Sequence, residues 1–314
     1  MGMPPSIDIR SRIANATAGL FAHAEYPLSH SLDHPGDPGL FGPNSATWEV
    51  MGDVATFIGG IRALLVQAAH PEVVAGVADH SSYEDDPLGR LSRTSAYVTA
   101  TAFGAMPEVE RAIEVVRGAH RPVRGVSHRG ETYSASGSPF AAWVHNALID
   151  SFLTAHQVFG PRPLEPSRAD AFVAEQAVLG GMLHARDLPI TGDDLALWVA
   201  SHAEVGWSPG MESAVAFLRK PPLPLGIEAG YRILFHAAAA TLPHRISSLL
   251  GVRIVPGAIP AGRSMIAMLR WSMGSSPSWW LGLERVGAEM PDGVTFRRPP
   301  PAVGAAARWD AGHD

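Results

Sequence analysis

The sequence contains no cysteine. This absence excludes disulfides, zinc or iron–sulfur sites held by thiolates, covalent c-type haem attachment and a thiolate-ligated haem. It also removes the residue type that would indicate an oxidising or a reducing compartment. Histidine, in contrast, occurs 14 times in 314 residues. With thiolates excluded, histidine is the side chain that we expect to bind a transition metal.

Long apolar runs and an excess of positive charge are also lacking. No stretch of about 18 apolar residues occurs, and residues 1–6 lack the basic and then apolar pattern of a signal peptide. We therefore expect a cytoplasmic protein with no integral membrane segment. The net charge of −6 gives no general attraction to nucleic acid. Hydrophobic residues make up 46% and charged residues 17% of the chain, which is enough for a large folded core.

Apolar residues recur at helical spacing along most of the chain, which predicts an all-α fold with a single large helical domain. We expect an N-terminal extension at 1–44, partly irregular with one early helix near 7–22, then a helical domain at 45–290 and a flexible tail at 291–314. The helices predicted in the domain lie at 47–70, 73–80, 87–103, 107–121, 139–156, 167–183, 191–205, 226–240, 243–250 and 263–273. Residues 252–255 and 294–296 are candidates for short strands.

Several motifs of well-known enzyme classes are missing. The chain has no Gly-x-Gly-x-x-Gly after a strand, no phosphate-binding loop, no His-Glu-x-x-His, no Glu-x-x-His and no Gly-x-Ser-x-Gly. These absences weigh against dinucleotide, nucleotide, zinc-protease, carboxylate di-iron and ordinary serine-hydrolase functions.

One predicted helix face, within 90–97, is rich in hydrogen-bond donors. Its members follow the spacing i, i+3, i+4 and i+7 and are Arg90, Arg93, Thr94 and Tyr97. Two guanidinium groups and a hydroxyl suit carboxylates, or an oxygen species that gains negative charge on reduction. The structural alternative is a solvated face whose arginines pair with the acidic residues at 84–86.

Two histidines are predicted to face the interior. His120 ends the apolar stripe of its helix, and His145 lies on the apolar face of a later helix. A neutral imidazole in apolar surroundings is a good iron ligand, although a core histidine bonded to a carbonyl is the commoner structural role. His70 and His80 lie near helix ends, where capping is the expected role.

Five short segments follow one another in a characteristic order. They are AHP at 69–71, DHS at 79–81, DPLGRLSRT at 86–94, HRPVRG at 120–125 and WVH at 143–145. As a set, they resemble the catalytic domain shared by bacterial rubber oxygenase (latex clearing protein) and the fungal MpaB-type oxygenase. The resemblance spans about 48–205, and no single segment would be sufficient for it.

The resemblance implies an all-helical fold with a globin-like core around haem b. It implies a histidine on one side of the iron and dioxygen on the other. The proximal histidine of rubber oxygenase is followed by a Val-Arg pair, and His120 with Val123 and Arg124 matches that pattern. His120 is therefore the expected iron ligand, with Arg124 as a cofactor contact and His145 as the reserve ligand.

The resemblance also implies a distal helix that carries an arginine and, four residues later, a threonine. Arg90 and Thr94 match both positions and are the expected catalytic residues, with Arg90 also close to the cofactor. Rubber oxygenase has a lysine immediately before this threonine, where this chain has Arg93. Arginine stays protonated and ligates metals poorly, so Arg93 is expected to contact an oxyanion or a propionate.

Two further departures concern the proximal side and the catalytic base. Gly125 stands where rubber oxygenase has a second histidine. The distal glutamate that acts as a base in rubber oxygenase has no clear counterpart, and Glu72 and Asp79 are the candidates.

Together, these residues predict a haem b-dependent oxygenase or oxidase that activates dioxygen and oxidises an apolar small molecule. Rubber oxygenase is secreted and the fungal enzyme is membrane-bound. We expect neither location for this chain, so polyisoprene or a membrane-held terpenoid need not be the substrate. The alternative is a non-catalytic helical protein that binds haem or another apolar ligand; a helical fold whose haem site has lapsed is a third reading. Trp271, Trp279 and Trp280 are candidates for a homo-oligomer interface or for ordinary burial.

Overall fold

Fourteen α-helices and one antiparallel hairpin occur in residues 9–81 and 85–300, the part of the chain that this computed structural model describes. The helices are α1 (Ile9–Ala18), α2 (Ala46–Met51), α3 (Thr56–Ala68), α4 (Pro71–His80), α5 (Pro87–Phe103), α6 (Met106–His120), α7 (Ser138–Phe159), α8 (Pro166–Met182), α9 (Gly192–Ser201), α10 (Pro209–Arg219), α11 (Leu225–Ala239), α12 (His244–Leu249), α13 (Ala258–Met273) and α14 (Pro277–Val286). The hairpin pairs β1 (Arg124–Val126) with β2 (Thr132–Ser134). The mostly helical fold that the sequence predicts is confirmed.

The helix starts have simple local causes. Side-chain oxygens of Ser45, Asp86, Thr191 and Ser208 accept hydrogen bonds from backbone N–H groups in the first turns of α2, α5, α9 and α10. A proline occupies the first or second position of α4, α5, α6, α7, α8, α10 and α14, where its fixed φ and missing N–H cost nothing. Pro71 therefore begins a helix as well as ending the preceding one.

The centre of the core is the contact between α3 and α7. Gly59 allows these helices to approach closely, because a Cβ there would lie 2.6 Å from Cδ1 of Phe152. Trp143 of α7 and Ile58 of α3 are fully buried in the same cluster, with Phe172 of α8. Helices α9, α10, α11 and α13 surround this pair.

A second cluster joins the two ends of the described chain. Leu28, Trp48 and Trp279 are buried together, and Phe296 packs edge-on against Trp279 with ring centroids 5.2 Å apart. Phe296 thus packs on the folded body, and residues 301–314 of the tail predicted at 291–314 lie outside the described residues. Trp279 is buried in the core, while Trp271 remains 47% exposed.

The structure differs from the sequence prediction in several elements. The predicted strands at 252–255 and 294–296 are irregular, and the hairpin lies at 124–134 instead. The long helix predicted at 47–70 is interrupted at 52–55. Helices α10 and α14 were not predicted, because proline and glycine surround each of them. Within the described residues, none of the helices is both long and apolar enough to cross a bilayer.

Candidate functional site

The helical pair α5 and α6 carries the predicted distal and proximal residues. A two-residue turn, Gly104 and Ala105, joins these helices, and they contact each other. Arg90 on α5 and His120 on α6 each lie roughly 20 Å along their helix from this turn. Both residues thus lie near the ends of α5 and α6 that are far from this turn.

Thr94 and Tyr97 continue the face of α5 that begins at Arg90. The Thr94 hydroxyl is exposed and donates a hydrogen bond of 3.0 Å to the Arg90 carbonyl, one turn earlier. Tyr97 is half-buried, and desolvation raises the pKa of its phenol above the usual value. The face thus changes from accessible polar groups at the N-terminal end to an enclosed phenol.

Arg93 pairs with an acidic residue at 84–86, which is the structural alternative that the sequence left open. Its Nη1 atom lies 3.2 Å from Oδ2 of Asp86, and both side chains are more than half exposed. Such a pair contributes little to stability and exchanges easily. Arg93 can therefore leave Asp86 for another anion without a large cost.

His120 lies in the last turn of α6 and is exposed, so the prediction that it faces the interior is wrong. It extends an apolar stripe, but at the helix terminus the core no longer covers that stripe. Burial by the surrounding protein nevertheless lowers the pKa of its imidazole. This shift favours the neutral imidazole.

The chain after His120 turns back into the hairpin. The Arg124 guanidinium donates a bond of 3.1 Å to the Arg121 carbonyl at the end of α6, and it is exposed. A Cβ at Gly125 would lie 2.5 Å from the hydroxyl oxygen of Tyr133. Tyr133 therefore occupies the space that a side chain at 125 would need, which explains the glycine at this position.

His145 of α7 is buried, as predicted, but faces α8. Desolvation lowers the pKa of its imidazole to about 4, although a hydrogen bond with the backbone of Gln176 acts in the opposite direction. His145 and Tyr97 line the same cavity of about 20 Å³, which also has Thr101 and Gln176 in its walls. The structure thus brings Tyr97 and His145 together, and the cavity has room for about one water molecule.

The two candidate bases have different surroundings. Glu72 is buried and accepts bonds from Ser127 and Arg129, whereas Asp79 is exposed and accepts a bond of 2.5 Å from the Tyr133 hydroxyl. Burial alone would raise the pKa of Glu72, but the hydrogen bonds from Arg129 and Ser127 keep it below the usual value. Glu72 is consequently a poor proton acceptor.

His70 belongs to an aromatic cluster that sequence reasoning missed. Its ring lies beside those of Trp143 and His202, with centroids 5.5 Å and 5.8 Å away, and Trp198 packs against His202. Burial lowers the pKa of His70 to about 4. Arg129 was also missed; it bonds to Glu72 from a distance of 57 positions in sequence, and no local pattern marks such a pair.

Grouped metal ligands do not occur in the described ranges: no set of three His, Asp or Glu side chains could hold a metal ion there. No hydrogen bond of the described residues joins His120 to Thr94 or His145. The structure therefore arranges these residues around neighbouring helices without linking them directly.

Comparison with known proteins gives one result. No curated protein and no solved structure matches the chain. Among protein families, residues 48–271 match the one described as ER-bound oxygenase mpaB/B'/Rubber oxygenase, catalytic domain. The resemblance inferred from the sequence is confirmed, and its C-terminal limit lies at residue 271 instead of residue 205. Because the match covers more than two thirds of the chain, this protein belongs to the family of MpaB and rubber oxygenase catalytic domains.

Proposed function

We propose that this protein is a haem b-dependent oxygenase in which His120 binds the iron. The observation that carries the proposal is the position of His120: an accessible imidazole at the end of α6, followed by Val123 and Arg124. A neutral, accessible ring nitrogen is what an iron ligand requires. Membership of an oxygenase family supports the reaction class.

The residues around His120 suit a haem. Because haem brings most of the ligands of its own iron, His120 alone would be sufficient to hold it and no cluster of protein ligands would be needed. Arg124 and Arg93 are exposed guanidinium groups whose present partners are a carbonyl and an exposed carboxylate. Both can exchange these partners for haem propionates. The globin-like haem core implied by the family, with α5 and α6 among its helices, is part of this proposal.

Haem iron would supply the site and the electrons for activating dioxygen. Arg90 and Thr94 would stabilise oxygen atoms that gain negative charge, by donating hydrogen bonds to them. Thr94 must first release its bond to the Arg90 carbonyl, which requires only rotation of its hydroxyl. The proposed substrate class is an apolar small molecule, in keeping with the family of MpaB and rubber oxygenase catalytic domains to which the chain belongs.

Replacement of the two histidines tests the ligand assignment. We expect the purified protein, reconstituted with hemin, to show a Soret band that His120→Ala shifts or abolishes. His145→Ala is the matched control, because His145 is buried and the neighbouring cavity is too small for a porphyrin. Loss of the band in His145→Ala alone would assign the iron to the reserve ligand. Absence of a Soret band in the wild-type protein would refute the proposed function and leave a lapsed haem site.

A second candidate is a haem- or apolar-ligand-binding protein without turnover. It is favoured by the engagement of Thr94 with a carbonyl and of Arg93 with Asp86, since neither donor is then directed at an oxygen species. Dioxygen consumption by the reduced, haem-loaded protein with a panel of alkenes and terpenoids separates the two functions. Consumption that falls in Arg90→Leu supports an oxygenase, and its absence with every compound supports binding alone.

A further inference from the structure

One face of α4 is attached along its whole length to the hairpin that follows His120. The residues on this face are Glu72, Gly76, Asp79 and His80, which share the spacing i, i+4, i+7 and i+8 of one helical stripe. The hairpin lies 45–60 positions later in the chain. The attachment is therefore a tertiary contact between two segments that the sequence analysis treated separately.

The N-terminal end of this attachment is a buried carboxylate. Glu72 Oε1 accepts bonds of 2.8 Å from Ser127 Oγ and 2.9 Å from Arg129 Nε, and Oε2 accepts a bond of 2.5 Å from Arg129 Nη2. The Glu72 side chain is only 4% exposed. A bidentate arginine pair of this kind fixes orientation as well as distance.

The C-terminal end of the attachment uses two further bonds. Asp79 accepts the hydroxyl proton of Tyr133, and the His80 Nε2–H donates a bond of 3.2 Å to the Arg124 carbonyl. Between the two ends, the ring of Tyr133 and the side chain of Val123 lie 3.3–3.5 Å from the position of a Cβ at Gly76. A glycine there lets the helix and the hairpin touch.

The attached segment is the continuation of α6. Val123 and Arg124 follow His120 within four residues, and α4 leads directly through residues 81–86 into α5. The α4–hairpin contact consequently connects the chain before Arg90 with the chain after His120. The hairpin is thereby held against α4 close to the point where the chain leaves α6.

We propose that Glu72 is a positioning residue for His120, which acts through Arg129 and the hairpin by holding the chain that follows α6 in place. This inference rests on the proposed role of His120 as the iron ligand. In this role Glu72 would orient His120 and would not transfer a proton. Residues that do not touch the metal orient metal-bound histidines in a similar way. Glu204 is the second carboxylate on Arg129, at 3.1 Å, but its side chain is 57% exposed.

The experiment compares Glu72→Gln with Glu204→Gln, which removes a carboxylate from the exposed side of the same Arg129. In the apoprotein, hydrogen exchange at 124–134 is measured together with the NMR titration and the diethylpyrocarbonate reactivity of His120. We expect Glu72→Gln to accelerate exchange there about tenfold or more. His120 should react severalfold faster and its pKa should rise toward the ordinary value, while Glu204→Gln changes none of these.

Two further variants test the positioning role of Glu72. Arg129→Met should change the hairpin and His120 in the same direction as Glu72→Gln, and the double variant should have less effect than the sum of the two, because both single variants disrupt the Glu72–Arg129 pair. If Glu72→Gln does not fold, Tyr133→Phe removes the hydrogen bond to Asp79 at the C-terminal end of the attachment. The reactivity and the pKa of His120 should then change in the same direction. Faster exchange in the hairpin with an unchanged His120, or equal effects of Glu72→Gln and Glu204→Gln, would overturn the inference. Failure of the wild type to bind hemin would refute the proposed function instead, since the apoprotein measurements stand without haem.

Discussion

His145 packs directly against the backbone of Gly180. A Cβ at Gly180 would lie 2.8 Å from Cδ2 and 2.9 Å from Nε2 of the His145 imidazole, and 2.5 Å from a methyl group of Leu188. The adjacent Gly181 has no atom within 4 Å of the equivalent position. Two neighbouring glycines of α8 thus have opposite roles, and substitutions can separate them.

Gly180→Ala is expected to destabilise the protein by about 1–3 kcal/mol, because neither the imidazole nor Leu188 can move away without cost. Gly181→Ala is the control and should stabilise it by about 0.5–1 kcal/mol through helix propensity. Urea denaturation monitored by far-UV circular dichroism measures both. Equal effects of the two substitutions would show that His145 does not pack on α8 as described.

Mild acid is expected to destabilise the fold through its buried imidazoles. The pKa values of His70 and His145 are lowered to about 4, and those of His120, His156 and His202 are also lowered. The unfolded chain binds these protons below about pH 6.5 while the folded chain does not, so stability falls as the pH decreases from about 6.5 to about 4.

The slope of the unfolding free energy against pH can be measured. Each of the two histidines contributes up to about 1.4 kcal/mol per pH unit within this window. His145→Gln should therefore reduce the slope of the unfolding free energy against pH. A wild-type unfolding free energy that is constant from pH 7 to pH 5 would contradict the burial of these rings.

The ion pair between Arg62 and Asp150 is buried, unlike the one between Arg93 and Asp86. Arg62 Nη1 lies 2.6 Å from Asp150 Oδ2, and both side chains are almost fully buried. Asp150→Asn leaves the guanidinium charge without compensation and should cost about 3–5 kcal/mol. Arg93→Gln, at the exposed pair, should cost less than about 1 kcal/mol. Thermal and urea unfolding of the two variants test the contrast, and similar losses would refute it.

Arg285 connects the N-terminal segment to the helical body. Its guanidinium donates to Ser31 Oγ at 2.6 Å, to the Phe103 carbonyl at 2.7 Å and to the Asp37 carbonyl at 2.8 Å. Arg285→Met should destabilise the protein by about 3 kcal/mol or more, since it leaves these buried acceptors unpaired. Limited proteolysis should then cleave within residues 23–45, whereas Arg253→Met, at an exposed site, should behave as the wild type. Resistance of Arg285→Met to cleavage within residues 23–45 would show that other contacts are sufficient to hold the N-terminal segment in place.

Much of the secondary structure could be read from local patterns. Pro87 after Asp86 marks the start of α5, and His120 before Pro122 marks the end of α6, because caps and prolines act within one helical turn. The orientation of His120 could not be read in this way. Its stripe points inward only where another element covers it, and at the last turn of α6 none does.

The sequence by itself determined the helical class, the family and the identity of the histidines, since periodicity and motif order are local properties of the chain. Only the tertiary structure decided that His145 contacts Gly180, that Tyr133 fills the space beside Gly125, and that Glu72 binds Arg129. These contacts join segments that are 8 to 57 positions apart. They depend on how helices and the hairpin pack against one another, and no spacing along a single element encodes that packing.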